Sequence, residues 1–159
     1  MTLTTEVIHT YIEYHYATTR RVWDSIAQIS EEQFLAEEVY SRGSIRNLMV
    51  HLANSDRRWL GGLKNQPDVD NVKFEDYPTR DMARALFEQV AQDVTEYVDT
   101  LTNAELEENP NGMPGPRWQA LLHMVNHGTD HRATVLERLH ALGAPTFDQD
   151  FILWLWGKK

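Results

Sequence analysis

The chain has 159 residues, 42% apolar and 25% charged, a globular composition at a length that one domain can fill, here taken as residues 1–159. It contains no cysteine, so disulfides, thiolate metal sites and cysteine nucleophiles are excluded, and any metal must be held by histidine, carboxylate or water. The 24 acidic residues outnumber the 15 basic ones, a net charge of −9, which disfavours phosphate backbones and argues against a nucleic-acid partner.

The start, Met1-Thr-Leu-Thr-Thr-Glu, lacks the basic-then-apolar plan of a signal peptide. No apolar run reaches the ~18 residues that span a bilayer. The expectation is a cytoplasmic protein with no membrane partner. A first helix is predicted over about residues 5–29, because Ile8, Ile12, His15, Thr19, Val22, Ile26 and Ile29 step by three or four. Ser30-Glu-Glu-Gln33 reads as a capping box opening a short turn. Gly43-Ser44 breaks the chain, and Ser44 is placed to cap a second helix over about residues 44–63. Its stripe is Ile45, Leu48, Leu52, Trp59 and Leu63, and Gly61-Gly62 with Pro67 are expected to end it.

Residues 66–77 read as a long acidic connection. A third helix follows over about residues 78–101, with Met82, Leu86, Val90, Val94 and Val98 inward. Thr102-Asn-Ala-Glu105 is another capping box, and the Pro- and Gly-rich residues 109–116 must form a loop. The fourth helix, about residues 117–142, turns Leu121, Val125, Gly128, Val135, Leu136 and Leu139 to the core and is stopped by Gly143 and Pro145. The tail Phe151-Ile-Leu-Trp-Leu-Trp156 is apolar enough to require cover from the bundle or from a second subunit. The fold expected is all-α, a four-helix bundle with a short apolar C-terminal segment.

Seven histidines are present, at 9, 15, 51, 123, 127, 131 and 140. His9 and His140 read as surface or half-buried residues. His123, His127 and His131 lie on one helical face, one turn apart. Either i, i+4 pair could reach one ion at about 2.0–2.1 Å, and spacing does not choose between them. At ~100° per residue, His127 lies about 120° and His131 about 80° from the centre of their helix's apolar stripe. His51 lies about 120° from the centre of its own. Such flanking positions on neighbouring helices can converge in a groove open to water.

The segment Leu121-Leu-His-Met-Val-Asn-His-Gly-Thr-Asp-His-Arg132 resembles the last-helix motif of the DinB-like (DinB/YfiT-like) superfamily of small four-helix metalloproteins. Ser44-Ile-Arg-Asn-Leu-Met-Val-His-Leu-Ala-Asn-Ser-Asp56 resembles its second-helix motif, and Ala141-Leu-Gly-Ala-Pro145 is also similar. The resemblance implies that His51, His127 and His131 are the metal ligands and that His123 stands beside them. The chain departs from the family's common pattern at Asp130 and at Ala133-Thr134.

Three neutral imidazoles leave a divalent ion its charge and an open position, the pattern of catalytic and not structural sites. Zinc or nickel is the first expectation for the ion. Asp56 and Asp130 are the acids near enough to orient the rings, unless arginine pairs claim them. The resemblance implies a metal-dependent transferase that uses a low-molecular-weight thiol such as bacillithiol or mycothiol, or a hydrolase. A mycothiol-dependent maleylpyruvate isomerase is similar. The other class is a non-catalytic metal-binding module that dimerises through the tail. Catalytic residues are not assigned. The expected partners are a small-molecule substrate and a second copy of the chain.

Overall fold

The computed structural model describes residues 3–66 and 68–157. Among these the chain forms seven α-helices, one 3-10 turn at Phe74–Asp76 and no strand. Four helices are long: α1 (Thr5–Ile26), α3 (Ile45–Leu63), α4 (Arg80–Asp99) and α6 (Arg117–Ala141). Short helices α2 (Glu31–Leu35), α5 (Asn103–Leu106) and α7 (Phe151–Leu155) lie between or after them. The long helices close a ring in which α1 packs on α6, α6 on α3, α3 on α4 and α4 on α1. This is a four-helix bundle, as the hydrophobic periodicity requires.

Local chemistry sets the helix starts. Thr4, Ser44 and Thr79 each cap a long helix by accepting a backbone N–H in its first turn. Ser30 with Gln33 and Thr102 with Glu105 form the two capping boxes. The stripes of α1 and α6 are buried residue for residue as their spacing demands.

Three details differ from the expectation. The first helix ends at Ile26 and not near residue 29, although Ile29 stays buried in the following turn. Gly61 and Gly62 do not end α3, which runs through them to Leu63. A side chain at Gly61 would meet Val69 Cγ2 at 2.3 Å and Gln66 O at 2.8 Å, so this glycine serves close packing of the connection. Pro67, the other expected stop, lies outside the described residues. Met82 is 46% exposed, and the inward face of α4 is Ala83, Phe87, Val90, Ala91, Val94 and Val98. A run spaced strictly by four drifts about 40° per step on a 3.6-residue helix, so the far end of the expected stripe leaves the core face.

The helix α7 rests on α1: Phe151 stacks on Tyr11 with centroids 4.5 Å apart, and Trp154 meets Tyr14 edge-on at 5.8 Å. Its outer side exposes Ile152, Leu155 and Trp156. No helix among the described residues is long and apolar enough to cross a membrane.

A histidine triad between two neighbouring helices

His51 projects from α3, and His127 and His131 from α6, across the groove where these helices pack. The Nε2 atoms of His51 and His127 are 3.3 Å apart and those of His127 and His131 are 3.0 Å apart. One nitrogen from each of the three rings lies within 4.8 Å of the others, and no carboxylate joins the group among the described residues. Two nitrogens at about 2.0–2.1 Å from one tetrahedral ion stand about 3.3 Å apart. The donor set and its spacing therefore fit a divalent transition metal.

All three rings are half-buried. Burial pushes His51 down from 6.5 to about 4, and the charges of Arg42, His131 and His127 act in the same sense. Burial, then the charge of His131, brings His127 to about 4 against the opposing charge of Asp56. His131 is lowered by burial, with Asp130 opposing. Neutral rings at pH 7 keep their lone pairs for a ligand role.

The triad opens on a groove along the same faces of α3 and α6. Ser55 Oγ lies 3.5 Å from His51 Nε2. Ser55, Arg58, Trp59, Gly62 and Met113 line a cavity of about 300 Å³. Trp59, Met113, Pro114, Pro116 and the exposed His123 line a second cavity of about 220 Å³. His123 packs its ring 4.9 Å from Trp59 and 5.7 Å from His127. It belongs to the groove wall and not to the three-histidine group. A larger cavity, about 520 Å³ between Tyr11, Leu122, Thr129 and Phe151, lies on the opposite face of α6. It holds none of the triad, so size does not mark the site here.

Of the two acids expected near the rings, Asp130 is exposed and reaches His127 and His131 only through its charge. Asp56 is 1% exposed and, among the described residues, its carboxylate is bonded to no arginine. Its Oδ2 meets His15 Nε2 at 3.0 Å and accepts from Tyr16 OH at 3.3 Å. Burial holds His15 below its ordinary pKa. The neutral ring donates through Nε2–H to Asp56 and accepts at Nδ1 from Arg132 Nη1, 2.8 Å away. Arg132, fully buried, also bonds Thr19, Thr129 and Gln149.

This Arg132–His15–Asp56 chain crosses the bundle behind the triad and went unread in the sequence, although signals for it were there. His15 and Thr19 interrupt the apolar stripe of α1. Arg132 fills the one gap in the series 121, 125, 128, 135, 139 on α6. A polar residue at a core position marks a buried partner elsewhere.

Helical bundles build metal sites from side chains on facing helices, and this triad is set between two neighbouring helices. A model of the DinB family matches residues 1–158, and the chain belongs to that family. It is also similar in fold to a crystal structure of a DinB-like protein from Bacillus cereus, with a TM-score of 0.74 and 17% identity over 93% of this chain and 99% of that one. No curated protein matches in sequence.

Proposed function

We propose that this protein binds one divalent transition-metal ion, zinc or nickel foremost, through Nε2 of His51, His127 and His131. We further propose that it uses the site as a thiol transferase or hydrolase acting on a small molecule. The observation that carries the reading is the convergence of three neutral imidazole nitrogens at tetrahedral spacing, with no carboxylate in the group. Three protein ligands leave room for an exogenous one. When bound, such an ion lowers the pKa of a coordinated water or thiol into the physiological range. The chain's own groups supply the rest. Trp59 and Met113 offer an apolar wall, Arg58 a cation at the rim, and Ser55 a hydroxyl beside His51. The sulfur of a thiol reaction would come with the cosubstrate, since the chain has none to give as cysteine. The exposed outer side of α7 is the surface assigned to a second copy of the chain.

Elemental analysis and metal-dependent turnover test this. His127→Ala should lose most bound metal, and His140→Ala should keep it. Chelation should stop a thiol-conjugation or hydrolysis assay while helical circular dichroism persists, because the core is built from apolar stripes away from the triad. Full occupancy in His127→Ala would refute the ligand set. Unfolding on chelation would instead make the ion a structural brace.

A further inference from the structure

The Nε2 atoms of the triad face one another, so the ring of His127 turns its Nδ1 away from the site. That Nδ1 is buried and has no hydrogen-bond partner among the described residues. Asp56 Oδ1 is also buried without a partner, while its Oδ2 is held by His15 and Tyr16. Leaving such buried groups unpaired is costly, and more so for a charge. The two are complementary. An imidazole that gives Nε2 to a metal carries its proton on Nδ1, and a carboxylate oxygen can only accept. Asp56 lies close enough for its charge to act on His127. The next residue of α6, Gly128, lets the His15 ring approach the helix backbone, and the Asp56 carboxylate is bonded to that ring.

We propose that Asp56 is the positioning residue of the triad: when an ion takes Nε2 of His127, Asp56 Oδ1 accepts the Nδ1–H of that ring, a bond the metal-free structure does not contain, and so fixes the tautomer that serves the ion. This rests on the reading of the triad as a metal site. Asp56 is itself fixed by the neutral His15 ring, which Arg132 holds from the other side. The buried negative charge also offsets that of an ion held by three neutral ligands. Outer partners of this kind raise ligand basicity, and their removal costs about 10–100-fold in metal affinity.

The test uses Asp56→Asn and histidine-labelled wild type. Zinc affinity, by competition with a chromophoric chelator, should fall about 10–100-fold in Asp56→Asn while helical circular dichroism is retained. In zinc-loaded wild type, nitrogen-15 spectra should show His127 protonated at Nδ1, with that proton exchanging more slowly than those of His51 and His131. This wild-type measurement decides the matter even if the variant fails to fold. Zinc affinity in Asp56→Asn within twofold of wild type, or a His127 Nδ1–H that exchanges as fast as the other two, would overturn the proposal and leave the metal site standing. Wild type that binds no zinc would remove both.

Discussion

Substituting alanine for Gly128 tests how tightly the bundle closes behind the triad. The added Cβ would stand 2.2 Å from His15 Cε1, 2.4 Å from His15 Nδ1 and 2.8 Å from Arg132 Nη1. Carbon atoms in contact prefer about 3.5–4.0 Å, so the overlap exceeds 1 Å. His15 has nowhere to go, being fully buried and bonded to Asp56 and Arg132. Either α1 shifts away from α6, at the upper end of the roughly 1–3 kcal/mol that overpacking costs, or His15 leaves and two hydrogen bonds to charged groups go, at about 1.5–3 kcal/mol each. Alanine returns about 1 kcal/mol of helix propensity. The cheaper route leaves a net loss of about 2 kcal/mol, or roughly 4–8 °C in Tm for a chain of this size. Gly62→Ala is the control, because its Cβ would meet only Met113, with Sδ at an ordinary 3.5 Å and Cγ at 3.9 Å, and should hold or raise Tm. Thermal melts of both variants, followed by circular dichroism, check the pair. A Gly128→Ala melt at or above wild type would refute the packing argument.

Stability should also depend on pH with a fixed sign. His15, His51 and His127 all have folded pKa values below 6.5, so the unfolded chain takes up protons that the folded chain refuses. Stability of the metal-free protein should be level above pH 6.5 and fall as pH drops towards about 4; urea melts at pH 7.5 and 5.0 that coincide would contradict it. Deleting residues 151–159 removes the aromatic contacts of Phe151 and Trp154 with Tyr11 and Tyr14. At about 0.5–1.5 kcal/mol for each of three ring pairs, the melt should move down by several degrees. Ile152→Asp with Leu155→Asp spares those contacts and should lower the solution mass by sedimentation if α7 joins two copies; an unchanged mass would count against that role.

Periodicity and capping chemistry by themselves determined the four long helices, the Ser44 cap, the two capping boxes and the stripes of α1 and α6, because these depend on residues three or four apart. The i, i+4 spacing also placed His123, His127 and His131 on one face. Where local rules misled, the causes differed: Gly61 looked like a helix end but makes room for Val69, whereas Met82 sat on a strict i+4 run that helix geometry carries off the core face. What periodicity could not supply was which faces meet. His51 and His127 are 76 residues apart in the chain, and their convergence follows only from α3 and α6 being neighbours in the ring. That adjacency, too, sets His127 and not His123 opposite His51, where the motif resemblance alone had pointed. The Arg132–His15–Asp56 chain depends on three helices at once. A buried charge is stable only where its partners arrive from other elements, and only the tertiary structure decides that.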